Sequence, residues 1–438
     1  MQIRDFLNRL DVAKQLVRVN APVSCDLELA ALCRHEFQRP EGGNALLFSN
    51  LDGSDYVAAA NLFGSEQRML QILASESFVD FAVKLRRVLE QKDFLKRSFH
   101  HHDVGLDDAG LQRVDCSELD RLPVIRSWPA ENGGHLTLAL TVTADIETGQ
   151  QNLGLYRAQL LKQGEIAVNF APDSGAGRHL QIAQSMNRKM RIALVFGGAL
   201  EYIWAAAAPL PADWNEFALC QKLFSSSDRF VRLSEQDLLV PADVELVIAG
   251  EIDPNRTCIE GPFGNHTGQY VSRSDCPLMQ VAVLFRKDDP LFPLTVVGPP
   301  PSENINLAKA NEILIRELLT RDFPQISDVG LPLDTFFHGA CLLSVKADKT
   351  SKYELIKALW QSSPIGQAKI MILLDEDIDL NSWRNCWWRA VNRLDVGKVY
   401  QSQNRLAIDA TGVDPNNLVT EDRQTRNNLR QRFPGFGL

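Results

Sequence analysis

The sequence predicts a mixed α/β protein (α+β in overall arrangement) in three parts: an α/β region over residues 1–110, a β-barrel over 115–301, and a second α/β region with a tail over 302–438. Three observations carry this. At 438 residues the chain is too long for one ordinary core, so two or three domains are expected. Its middle is a succession of short β-forming runs separated by glycine turns, the texture of a barrel. Its last third alternates strand and helix patterns, the texture of an α/β domain.

Taken in order, Ile3, Phe6, Leu7, Leu10 and Val12 fall at helical spacing that decays before residue 18. Asp26 to Phe37 reads as a second helix ahead of the Gly42-Gly43 turn. Ala45 to Phe48 and Tyr56 to Ala60 read as strands joined through Asp52-Gly53, and 65–91 as helix. The polar stretch His100 to Asp108 reads as a linker. Three adjacent histidines (100–102) invite a metal reading, but adjacent side chains diverge on any regular element, so a solvated loop suits them better.

Leu136 to Thr143 is a strand rich in β-formers. Asn152 to Leu161 and Glu165 to Phe170 follow, with Gln163-Gly164 at the turn. Ile192 to Phe196 and Glu201 to Ala208 flank Gly197-Gly198 and are read with the strands, as are Val244 to Ile248, Met279 to Phe285 and Leu294 to Val297. Pro299-Pro300-Pro301 closes the region. Ser302 suits an N-cap for the amphipathic helix Ile305 to Leu319, which stops before Phe323-Pro324. Ala340 to Val345 (strand), Lys352 to Trp360 (helix), Ile370 to Leu374 (strand) and Trp383 to Val391 (helix) then alternate. The polar tail from Asp414 ends in Pro434-Gly435-Phe436-Gly437 and reads as loosely docked.

A net charge of −9 offers no basic field for phosphates, which argues against a nucleic-acid partner. The eight cysteines are scattered and none forms a C-x-x-C pair, so neither a zinc site nor a disulfide framework is expected. Charges recur through the first nineteen residues, which excludes the apolar core of a signal peptide, and no run of eighteen apolar residues suggests a spanning helix. A cytoplasmic enzyme is the default expectation.

The most informative stretch is Glu260-Gly261-Pro262-Phe263-Gly264-Asn265-His266-Thr267-Gly268. Gly261 and Gly264 permit backbone conformations closed to other residues, and Pro262 fixes its own φ. Such a loop can hold Glu260 and the side chains at 265 and 266 at one mouth, as an acid–base site requires. Standing alone, it would read as a surface turn.

It does not stand alone. IRDFLNRL, EGGNALLFSNLDGSDY, NLFGSEQRM, ETGQQNLGLYRAQL, WNEF, EGPFGNHTGQY, KIMILLDEDID and LAIDATG run nearly end to end in an order that resembles the UbiD family of decarboxylases. The resemblance implies an N-terminal α/β region, a central split β-barrel like that of flavin reductases, a C-terminal α/β domain, and prenylated FMN as cofactor. Asn152 is then similar to a metal-binding Asn, and Arg157, five residues on, to the Arg of a Glu-Arg-Glu network whose first Glu is Glu260. Glu216 of the WNEF motif resembles a second metal ligand. Asn and Glu oxygens with flavin phosphate oxygens suit a hard cation such as Mn2+ or Mg2+, and K+ is a further candidate. Tyr156 and Arg178 join Asn152, Arg157 and Glu216 as expected cofactor contacts. Lys369 resembles a family Lys near the cofactor phosphate, although a surface Lys at a strand end reads equally well.

Two departures stand out. Asn265 occupies a position normally held by Glu or Asp, whose carboxyl supplies the proton once carbon dioxide has left. An amide cannot donate a proton usefully near neutral pH, so His266, Glu260 or water would have to act, and His266 titrates in the useful range. The family also places a His about twenty-two or twenty-three residues after the metal-binding Asn, where this chain reads Ala171 to His179 with none at the matching place. Asp173 could donate an oxygen instead, His179 could swing in, or Arg178 could neutralise phosphate without a metal. A smaller departure is Gln269 in place of Tyr.

The resemblance thus implies a non-oxidative, reversible decarboxylase of an aromatic or α,β-unsaturated acid, supplied with cofactor by a prenyl-flavin synthase and assembled as a homo-oligomer. A rival reading is a catalytically impaired member serving as a flavin-binding subunit of a larger decarboxylase. A plain flavin reductase is a third, resting on the barrel alone.

Overall fold

The computed structural model describes residues 1–91, 99–162, 164–335, 339–347, 351–362, 364–413, 419 and 422–436. Met1–Leu318 with Leu333–Phe336 forms one compact unit, and Leu319–Pro332 with Phe337–Leu438 another.

The first unit opens with helix Ile3–Val12, which buries Ile3, Phe6, Leu7 and Leu10 on one stripe. The helical spacing fails beyond it because Lys14 takes a positive φ and the chain enters strand Leu16–Val19. That strand lies parallel to Ala45–Phe48, which pairs antiparallel with Val57–Ala60. The fourth strand of this sheet is Leu291–Pro293, parallel to Val57–Ala60. The strand expected at Leu294 to Val297 is therefore displaced, and it belongs to the N-terminal sheet. Leu294 and Val296 are buried without being in a strand, so their apolar character reported burial.

The stretch 65–91 is two helices, Glu66–Ile72 and Phe78–Leu89, capped by Ser65 and Ser77 and separated where Ala74 takes a positive φ. The expected linker is partly a strand: His102–Val104 pairs in parallel with Arg229–Leu233. Glu201–Ala207 is a helix, not a strand. Gly197 and Gly198 both take positive φ ahead of it, and the alanine-rich run favours helix once the turn is made. Gln163 lies outside the described residues, as do 414–418, 420–421 and 437–438 of the tail. The tail's Arg423–Arg432 forms a helix capped by Asp422.

The barrel is nine-stranded among the described residues. Its path runs His135–Leu136, Arg157–Leu160, Glu165–Asn169, Tyr270–Arg286, Leu246–Gly264, Met190–Phe196, Leu140–Ala144 and Gln151–Leu155, with Gln112–Val114 pairing to Tyr270–Arg286 off the path. The second and last strands of this path are consecutive in sequence, joined by Tyr156 alone. The sheet must curl until its last strand comes round to the second at that residue. Both faces are covered. Ile192, Leu194 and Phe196 enter one apolar core while Ala193 and Val195 enter another, which is why these strands read as unbroken apolar runs.

The second unit carries a five-stranded sheet in the order Ile326–Gly330, Ala340–Val345, Ile370–Leu374, Arg405–Asp409, Val399–Ser402, with the middle three parallel. Helices Lys352–Ser362 and Trp383–Asn392 alternate with its strands as expected. No helix of the described residues is long and apolar enough to cross a membrane.

Candidate active site

Glu260 to Gly264 is the end of the long strand Leu246–Gly264, not a loop. The turn lies just beyond, where Asn265 N–H donates to Gln269 O (3.1 Å) and Gly268 N–H to Asn265 O (3.1 Å). Gly261 takes φ 91°, its bond to Pro262 is cis, and the register with the neighbouring strand shifts between Glu260 and Phe263. Glu260 is fully buried.

Arg157 opens its strand and reaches the same point. Its Nε donates to Glu260 Oε1 (2.7 Å) and its Nη2 to Oε2 (2.8 Å), a two-pronged charged pair. Asn169, the register partner of Arg157 on the next strand, donates from Nδ2 to Oε2 (2.8 Å). His135 Nε2 lies 3.5 Å from Oε1. Burial pushes the Glu260 carboxyl up, but the Arg157, His135 and Asn169 contacts outweigh it and bring it down to about 2. The group is an anion at any working pH. The Phe263 ring lies under the Arg157 guanidinium, 4.8 Å to the centroid, and packs on His135 at 4.7 Å.

A second cluster gathers at the other side of Tyr156. The Asn215 side chain caps helix Glu216–Phe224 and donates to Gln151 O (2.9 Å), so Glu216 is delivered to the strand bearing Asn152. Its carboxylate accepts from Leu153 N–H (3.1 Å). Burial raises Glu216 to about 7, against the Leu153 N–H and the charge of Arg178. Tyr156 is pushed up by burial and held back by Ser174, the Ala176 N–H and Asn152. Asn152, Tyr156, Arg178 and Glu216 are therefore neighbours.

Two further candidates, Asp173 and Lys369, are both exposed. The Asp173 carbonyl, rather than its carboxylate, accepts from Arg178 (2.5 Å). Lys369 lies in the second unit, where its carbonyl accepts from Leu406 N–H. Asn265 and His266 sit at the hairpin tip, both partly buried. Asn265 Oδ1 is engaged by its own turn, accepting from Thr267 N–H (2.9 Å) and Oγ1–H (2.6 Å).

The metal expectation is tested by the donor set. Asn152 and the half-buried Glu216, whose carboxyl burial raises to about 7, are two oxygen-bearing side chains that lie together. A third side chain is not supplied. Gly175 stands twenty-three residues after Asn152, and a Cβ there would meet Asn152 Oδ1 at 1.7 Å. His179 is committed to Thr143, Nδ1 to Oγ1 2.9 Å, and burial, aided by Arg178, lowers it to about 4 against Asp145. Among the described residues no group of three or more His, Cys, Asp or Glu could hold a metal, and the histidines at 100–102 form no such group. The described residues thus offer Asn152 and Glu216 as an oxygen-bearing pair and no three-residue cluster.

Sequence reasoning missed His135, Asn169 and Gln159, whose Oε1 accepts from Gly261 N–H (2.9 Å). Each lies on a short strand whose partners are distant in sequence. Only the register Arg157↔Asn169 and His135↔Gln159 could have found them.

This curled barrel, with an Arg paired to a buried Glu, belongs to a known class. Residues 106–300 match the 3-octaprenyl-4-hydroxybenzoate carboxy-lyase Rift-related domain, 7–85 the corresponding N-terminal domain and 306–416 the C-terminal domain. The chain belongs to the UbiD family. An uncharacterized protein of Aquifex aeolicus is 30% identical over 410 residues, covering 90% of this chain and 84% of that one, and one of Archaeoglobus fulgidus is 29% identical over 413 residues, covering 90% and 85%. The fold is that of the closed-form vanillic acid decarboxylase of Sedimentibacter hydroxybenzoicus (TM-score 0.86, 24% identity, 98% of each chain covered). It is also that of an evolved dimeric HmfF from Pelotomaculum thermopropionicum, solved with prFMN (TM-score 0.80, 20% identity, 97% and 98% covered).

Proposed function

We propose that this chain is a non-oxidative, reversible carboxy-lyase acting on an aromatic or α,β-unsaturated acid with prenylated FMN. The observation that carries this is the Arg157–Glu260–Asn169 array around a buried carboxylate on the barrel of a UbiD-family chain. The cofactor supplies the electron sink that a vinyl or aryl carbanion lacks. The chain's residues do the rest. Arg157 keeps Glu260 ionised and fixes its plane, and Phe263 lays apolar surface against the Arg157 guanidinium; an apolar wall beside the substrate's carboxylate would disfavour its hydrated form and favour loss of carbon dioxide. Asn152, Glu216 and Arg178 would hold the cofactor phosphate with a divalent ion, and Tyr156 would position Asn152.

The test is co-expression with a prenyl-flavin synthase, followed by an absorbance spectrum, an acid-substrate screen and metal analysis for Mn, Mg and K. A bound modified flavin, release of carbon dioxide and about one divalent ion per chain are expected. Loaded protein free of divalent metal would remove Asn152 and Glu216 as ligands.

The second reading, a flavin-binding subunit without its own turnover, is favoured by Asn265 alone. Asn265→Asp keeps the turn's acceptor and restores a carboxyl. Faster turnover in that variant supports the enzyme reading. No turnover in either form, with flavin bound, supports the subunit reading.

A further inference from the structure

His135 is nearly fully buried, at 2% exposure, and neither of its ring nitrogens has a hydrogen bond of ordinary geometry. A buried polar group in that condition calls for an explanation. Its backbone is held from two sides: it exchanges hydrogen bonds with Ile125 and pairs in register with Gln159, whose side chain in turn holds Gly261 N–H. The ring packs on Phe263 and presents Nε2 to Glu260 Oε1 at 3.5 Å. The two oxygens of Glu260 are not equally served. Oε2 accepts from Arg157 Nη2 and Asn169 Nδ2, whereas Oε1 accepts from Arg157 Nε alone. Oε1 has a lone pair left, and His135 is the side chain that faces it.

We propose that His135 is a positioning residue for the reaction: its Nε2–H supplies the fourth donor to Glu260, equalising the two oxygens so that the carboxylate stays ionised and coplanar with Arg157. Among the described residues, Arg273 is the charged neighbour of Glu260 across the hairpin, and its guanidinium donates to Phe170 O (2.6 Å), Asp275 (3.0 Å) and Asn169 Oδ1 (3.4 Å). Burial raises the nearby thiols of Cys258 and Cys276, so they stay neutral and donate no charge to the cluster.

The catalytic consequence rests on the function proposed above, so the first readout avoids it. Glutamate carboxyls are labelled with carbon-13, and Glu260 is titrated by NMR in wild type, His135→Leu and His135→Gln, without flavin or substrate. His135→Leu is expected to move the Glu260 midpoint up by about one pH unit, because a donor to the charged form is lost, while His135→Gln, which keeps an N–H donor, stays near wild type. On a decarboxylated acid, His135→Leu should lose about tenfold in kcat with KM and flavin Kd changed less than about twofold, as for a group acting in the chemical step. Coincident midpoints in all three proteins, or equal losses in Leu and Gln variants, would overturn the proposal. If His135→Leu does not fold, His135→Phe, which preserves the stack on Phe263, carries the same comparison. A wild type that turns over no acid yet shows the midpoint shift refutes the reaction and leaves the positioning role standing.

Discussion

At the scale of single residues, Glu260 and Glu216 are opposites made by their surroundings. Glu260 is fully buried and Glu216 half-buried, yet the first is held near 2 by a guanidinium, a histidine and an amide, and the second is raised to about 7 by burial that two backbone N–H groups and the charge of Arg178 do not offset. The signs of their pH dependence follow. Glu260, depressed in the fold, contributes stability that is present above its unfolded value of about 4.5 and is lost as pH falls toward 2. Glu216, raised in the fold, costs stability as pH climbs from about 4.5 through 7. Glu216→Gln should therefore raise the Tm of flavin-free protein at pH 8 and leave it nearly unchanged at pH 4. A lower Tm at pH 8 would show that the ionised carboxylate is a structural asset. Arg157→Ala leaves a buried anion uncompensated and should lower unfolding free energy by roughly 3–5 kcal/mol in urea melts at pH 7. A loss below about 1 kcal/mol would mean that Glu260 is solvated after all.

At the scale of elements, the hairpin Leu246–Gly264 and Tyr270–Arg286 decides what the tip can do. Asn265 reads in sequence as a missing acid, and in the fold its oxygen closes the turn through Thr267. Asn265→Leu removes both acceptor interactions and should cost about 1 kcal/mol, whereas Asn265→Asp should melt within a few degrees of wild type. Equal stability of the two would show the turn indifferent to its side chain. The same hairpin shows what could be read in advance. Arg157, Glu260, Asn152 and Glu216 were legible because each sits in a run of several residues that resembles a family motif. Asn169 and His135 were not, because a strand's partners are set by register across 91 and 125 positions, which no local pattern carries. Glu201–Ala207 and Leu294 to Val297 were misread for a related reason: apolar runs report burial, and buried helix, strand and loop share it.

At the scale of the whole molecule, the three-part architecture was legible because patterning changes along the chain, period by period, as the local structure does. Self-association is the remaining large-scale expectation. Trp387, Trp388 and Val391 share an exposed stripe of helix Trp383–Asn392, an expensive arrangement in water. Light scattering should give a multiple of 49.0 kDa, and Trp388→Lys should shift the mass toward one chain. A monomeric wild type would sink that expectation. Tyr156 has a consequence of its own. Because the seam between the second and last strands of the curled sheet is a single residue, Arg157 on one side and Asn152 on the other keep a fixed spacing along the chain. Lengthening that seam by one amino acid would turn the side chains of one strand inside out relative to the other, so evolution can retune either half of this site by substitution, never by insertion at the join.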